Sequence, residues 1–106
     1  MKILLDECVP VQVRKALDGH EVTTVPKMGG AGVTNGELLD LAEAAGFDLF
    51  VVADKNLRYQ QNFEHRRIAI LELWTNHRPT LERRFGLIRE AVERIQPGDY
   101  LALDEP

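Results

Sequence analysis

Five short apolar runs punctuate the chain: Ile3 to Leu5, Val22 to Val25, Leu49 to Ala53, Ile68 to Trp74 and Tyr100 to Leu103. Continuous apolar runs of this length predict strands buried on both faces, as in parallel sheets. The stretches between them, Asp6 to His20, Pro26 to Phe47, Asp54 to Arg67 and Thr75 to Asp99, are long enough for the crossover helices that parallel strands require. The pattern is β-α repeated, and it predicts an α/β fold with a parallel, five-stranded sheet.

Three of the connections carry helical periodicity. Pro10 suits a first-turn position, and Val9, Val13, Ala16 and Leu17 recur on one face. Thr34 and Glu37 fit a capping box, with Leu38, Leu41, Ala42 and Ala45 as the apolar stripe and Gly46 as the stop. Thr80 is placed to cap a longer helix along which Leu81, Phe85, Ile88, Val92 and Ile95 recur until Pro97-Gly98 ends it. The polar stretch Lys55 to His65, with Tyr59 and Phe63 four apart, reads equally as a short helix or a loop.

Composition narrows the class. At 106 residues, 44% hydrophobic and 28% charged, the chain is expected to form a single domain with its own core, not a disordered segment. A formal charge of −4 argues against a protein that holds duplex nucleic acid by charge alone. One cysteine, Cys8, excludes an intrachain disulfide and a Cys-rich zinc site, and fits a reducing, cytoplasmic setting. No apolar run approaches the roughly 18 residues of a membrane span, so neither secretion nor insertion is expected. The charge is uneven: four basic and nine acidic residues run through Asp54, against nine basic and five acidic from Lys55 to Arg94. Such asymmetry fits a cation site beside a phosphate-binding face, or simply a solvated surface.

The acids fall where open parallel sheets bind ligands, outside the carboxyl ends of the strands. Asp6 and Glu7 follow the first strand, Asp54 follows the third, and Glu37 lies in the first turn of the helix preceding the third. Carboxylates converging from separate connections make a hard-oxygen site for Mg²⁺ or Mn²⁺, suited to phosphodiester hydrolysis. Each acid also has a plainer explanation. Asp6 and Asp54 stand where Asp commonly caps a helix, and Glu37 is accounted for by its capping box. It is their joint placement that favours chemistry.

Other polar residues carry less. His20, His65 and His77 lack metal-ligand spacing and a nucleophile partner, Cys8 reads as an inert thiol, and Gly29-Gly30-Ala31-Gly32 lacks the ending of a phosphate-binding P-loop. Arg58, Arg66, Arg67, Arg78, Arg83 and Arg84 are phosphate-contact candidates, with Tyr59 and Trp74 as stacking surfaces. For each of them a solvated or core role is the plainer reading.

The segments MKILLDE at residues 1–7, GHEVTTV at 19–25, NGELLDLAEAAG at 35–46 and LFVVADKN at 49–56, taken in order, resemble the small prokaryotic PIN-like proteins related to PIN-domain ribonucleases. The likeness covers about the first 58 residues and continues more loosely through RRIAILEL. It implies a three-layer α/β/α sandwich with a mostly parallel five-stranded sheet. It also implies an acidic centre using Mg²⁺ or Mn²⁺ to cleave single-stranded RNA, and many relatives are toxins neutralised by a small antitoxin. Carried onto this chain, Asp6, Glu37 and Asp54 are the catalytic and metal-holding acids. Glu7 and Asn56 are auxiliary, Lys55 and Arg58 contact substrate, and homo-oligomerisation is left open. The family often has Asp-Glu-Asn where this chain has Asp6-Glu7-Cys8, and Asp-Lys-Asp where it has Asp54-Lys55-Asn56. Asn56 offers a carbonyl oxygen without negative charge, which is expected to weaken divalent-ion binding.

Two other functions share these features. A receiver-type signalling domain would use Asp54 as phosphoacceptor and Thr75 as the hydroxyl after strand four, although Asp104 follows Leu103 where that class carries a lysine. A catalytically degenerate PIN-like binding protein would use the carboxylates only as caps.

Overall fold

Parallel pairing explains the apolar runs. In the computed structural model, which describes residues 1–29, 35–53 and 66–104, the runs become β1 (Lys2–Leu5), β2 (Glu21–Thr24), β3 (Leu49–Val52), β4 (Ala69–Glu72) and β5 (Tyr100–Ala102). All pairings are parallel, in the order β2-β1-β3-β4-β5. The inner strands β3 and β4 are buried at every residue, while the edge strands β2 and β5 are only partly covered. The polar Glu21, Thr23 and Thr24 are tolerated because β2 has a neighbour on one side alone.

Helical segments cover both faces. Successive residues of a strand point to opposite sides, so Ile3 and Leu5 join one core with Val13, Leu71, Leu81 and Ile88, whereas Leu4 joins the other with Leu38, Leu39, Phe50 and Ile70. A 3₁₀ helix (Val11–Leu17), α3 (Arg78–Glu82) and α4 (Phe85–Arg94) cover the first core. Helix α1 (Val25–Met28) and helix α2 (Asn35–Ala44) cover the second. The result is the expected α/β/α sandwich.

Two cations lock the layers. Lys2 Nζ donates to the Ala45 carbonyl at 2.6 Å just beyond α2 and lies 4.6 Å over the Phe47 ring, while its backbone N–H donates to Asp48 Oδ2 at 2.8 Å. Arg89 of α4 donates to the Ala16 and Lys15 carbonyls, both at 3.3 Å, in the last turn of the 3₁₀ helix. Both place positive charge on the unpaired carbonyls that end a helical segment.

Three local expectations are corrected. Val25 begins α1 instead of ending β2, since Pro26 occupies the first turn and supplies a helical φ. Pro10 precedes the first helical segment as its N-cap, not within its first turn. The expected long helix from Thr80 is two helices: Pro79 starts α3 earlier, leaving Thr80 inside it, and Arg84 departs from helical geometry at φ −126°. The break is invisible to periodicity because Leu81, Ile88, Val92 and Ile95 still enter one core.

The stripe of α2 also differs. Leu38, Leu39 and Ala42 are buried, whereas Leu41 is 47% exposed. At 100° per residue, Leu41 is turned roughly 100° from the middle of the face that those three define. Leu39→Ala is therefore expected to cost about 2–5 kcal/mol, and Leu41→Ala no more than about 0.5 kcal/mol, in urea unfolding. The reverse ranking would restore the stripe read from the sequence.

Candidate active site

The strand order reverses direction between β1 and β3, whose connections leave to opposite ends of the sheet. A crevice outside the carboxyl ends of such a pair is the usual ligand site of open parallel sheets. Asp6 sits there. Its backbone N–H donates to the Val51 carbonyl at 3.0 Å, extending the β1–β3 ladder by one residue, and its carbonyl accepts from Val9 N–H at 3.0 Å, which turns the chain toward the 3₁₀ helix. Continuing the alternation of β1 puts Asp6 on the side of Leu4 and α2. Asp54, Lys55, Asn56 and Arg58 lie outside the described residues, as do Thr34, Tyr59 and His65. The described chain leaves β3 through the half-buried Ala53.

Cys8 ties the two strand ends together. Its Sγ–H donates to Asp6 Oδ2 at 3.2 Å, and the backbone of Ala53 hydrogen-bonds to its sulfur. Although the residue as a whole is exposed, its thiol is partly desolvated. That burial, with smaller contributions from the Asp6 charge and hydrogen bond, pushes the thiol pKa up to about 11 against the opposing pull of the Ala53 contact. At neutral pH the thiol is protonated and is no nucleophile. Its role here is to hold a carboxylate oxygen of Asp6.

Glu37 lies in the first turn of α2. The far end of that helix meets Lys2 at the start of β1, so its first turn is at the same edge as Asp6. Both Glu37 and Glu7 are exposed. Among the described residues, no three His, Cys, Asp or Glu side chains converge to surround an ion. Asp6 and Cys8 meet, and neither Glu7 nor Glu37 completes a cage with them. In kind the donors fit a hard divalent cation: carboxylate oxygens brought by separate elements to one edge.

One acid was not picked out from the sequence. Glu72, at the carboxyl end of β4, is only 2% exposed and accepts a hydrogen bond from Tyr100 Oη at 2.7 Å. The registers of β1, β3 and β4 set Asp6, Val52 and Glu72 in one row across the sheet. A glutamate inside the apolar run Ile70-Leu71-Glu72-Leu73 was the available signal. The partner Tyr100, 28 residues away, was not legible.

Other candidates take structural roles. Trp74 is buried in the core, Arg66 pairs with Asp40 at 2.8 Å, and Thr75 Oγ1 accepts from His77 N–H at 3.1 Å. His77 Nδ1 contacts Thr80 Oγ1 at 2.8 Å, and His20 Nδ1 contacts the terminal amine at 3.1 Å. A cleft of about 610 Å³ lined by Phe47, Asp48, Arg67, Ile68 and Ile95 opens at the amino edge of the sheet, the far end from Asp6. Its size alone does not make it the reactive site, since none of the acids considered for catalysis lines it.

The model of the family described as PIN like domain matches residues 1–72, from β1 to the end of β4, and the chain belongs to that family. No curated protein and no solved structure matches it.

In the metal-free protein, the thiolate absorbance of Cys8 is expected to titrate with a midpoint near 11. Asp6→Asn should lower that midpoint by removing the charge that opposes ionisation. A midpoint near an ordinary thiol value would contradict the burial of the thiol, and equal midpoints in the two proteins would contradict the Asp6–Cys8 contact.

Proposed function

We propose that this PIN-like domain is an endoribonuclease that uses Mg²⁺ or Mn²⁺ to hydrolyse phosphodiester bonds in single-stranded RNA. The observation that carries the reading is the strand order. It makes β1 and β3 neighbours at the reversal, with Asp6 at one carboxyl end and the approach to Asp54 at the other. The family match over residues 1–72 supports it, because that stretch contains Asp6, Glu37 and Asp54.

In this reading Asp6, Glu37 and Asp54 hold the ion, with Glu7 and the Asn56 carbonyl as auxiliaries. A divalent ion bound there would supply Lewis acidity toward water and the phosphate. The protein's own groups orient the reaction. Cys8 fixes one oxygen of Asp6 through its S–H, and Lys55 and Arg58 steady the phosphate. Water gives up a proton as its oxygen bonds to phosphorus, the bond to the leaving oxygen breaks, and that oxygen takes up a proton. In the same proposal the chain acts as a cytoplasmic toxin whose partner is a small antitoxin protein.

Asp6→Asn and Asp54→Asn are each expected to reduce Mn²⁺-dependent cleavage of single-stranded RNA at least about a hundredfold, with circular dichroism unchanged. Wild-type rates in both variants would refute the assignment. EDTA should abolish cleavage by the wild-type protein, and added Mn²⁺ should restore it.

A further inference from the structure

Charge on the layer made by the 3₁₀ helix, α3 and α4 is sorted along the strand direction. The 3₁₀ helix leaves the carboxyl end of β1 and returns to the amino edge near His20, and the α3–α4 pair does the same between β4 and β5. The first residues of each therefore lie at the edge occupied by Asp6, and the last at the opposite one. The 3₁₀ helix packs against both α3 and α4.

At the carboxyl half, Arg83 and Arg84 project from the α3–α4 turn, and both are exposed. On the α3–α4 segment itself the acid is Glu82, which is held by Arg78 at 3.1 Å. That pair is itself largely exposed, so it contributes little and leaves Arg78 free to serve a stronger anion. At the amino half, Asp18, Glu90 and Glu93 offset the cations, and Arg89 is committed to the 3₁₀ carbonyls. A chain of formal charge −4 thus places a local excess of guanidinium beside its acidic edge.

We propose that the α3–α4 turn holds the phosphodiester backbone of a single strand as it leaves the acidic edge. The proposal rests on the nuclease reading and names the surface its substrate follows. It draws on a part of the chain beyond residues 1–72, and so on nothing in the family match. Guanidinium forks suit phosphate oxygens, and each neutralised phosphate releases counterions. Trp74, the described stacking candidate, is buried in the core and offers no face at this turn, so the contact argued here is to phosphate.

The test is fluorescence anisotropy of a labelled oligouridylate of roughly a dozen nucleotides, titrated in EDTA at several salt concentrations. The double variant Arg83→Ala/Arg84→Ala should bind at least about tenfold more weakly at low salt. Its slope of log K against log salt should fall by about 1.4, two contacts' worth for a single strand. Arg94→Ala, at the acid-balanced end of the same layer, should bind as the wild type does, and all three proteins should unfold at the same temperature. Wild-type binding by the double variant, an equal loss in Arg94→Ala, or no RNA binding by the wild-type protein would overturn the proposal. These titrations contain no divalent ion, so their failure would leave the Asp6–Asp54 metal site untouched. A failed metal assay would likewise leave the binding surface untouched.

Discussion

The pairing of β1 with β3 is the constraint on which the rest depends. Ile3, Leu4 and Leu5 lie beside Leu49, Phe50 and Val51 in register, and one further ladder bond from Asp6 N–H to the Val51 carbonyl carries the alignment to the carboxyl end. Two segments more than 40 residues apart in sequence thereby finish side by side. Slipping the pairing by one residue would send Leu4 and Phe50 to opposite layers and turn Asp6 from the α2 side. The hydrophobic pattern that secures the core therefore also aims the carboxylate.

What surrounds that edge follows from the same layering. Cys8 bridges the ends of β1 and β3, and its thiol stays protonated because it is desolvated beside a carboxylate. One strand further across, Glu72 is sunk in the sheet and held by Tyr100 of β5. Burying a carboxylate is costly unless it is hydrogen-bonded, and the neighbouring edge strand supplies such a bond. On the opposite side of the sheet, Arg89 fastens α4 to the 3₁₀ helix, fixing the layer that presents Arg83 and Arg84.

Much of this was legible in the residues themselves. Apolar runs located all five strands, and their lack of alternation correctly indicated parallel pairing. Gly46 ends its helix with a positive φ of 83°, as a C-terminal glycine should. Periodicity was less informative wherever two arrangements bury the same residues. The run from Leu81 to Ile95 kept one face through a break at Arg83–Arg84, so the pattern reported burial but not continuity. In α2 the pattern did not distinguish Leu41 from Leu39, because which of the two faces the sheet depends on how the helix is rotated against Leu4 and Phe50. Of the acids read at strand ends, Asp6 stands at the carboxyl end of β1. The Cys8–Asp6 contact and the Glu72–Tyr100 pair depend on loop geometry and strand neighbours, and no local signal encodes them.

The proposed function requires β1 and β3 to bring Asp6 and Asp54 to a common cation. The most direct measurement is thermal unfolding in EDTA and in Mn²⁺, for the wild type and for Asp54→Asn. Mn²⁺ at about 100 times its dissociation constant should stabilise the wild-type fold by about 2.7 kcal/mol if it binds the native state alone, and the variant should show little of that gain. An equal Mn²⁺ effect in both proteins, or none in either at millimolar ion, would contradict the shared site.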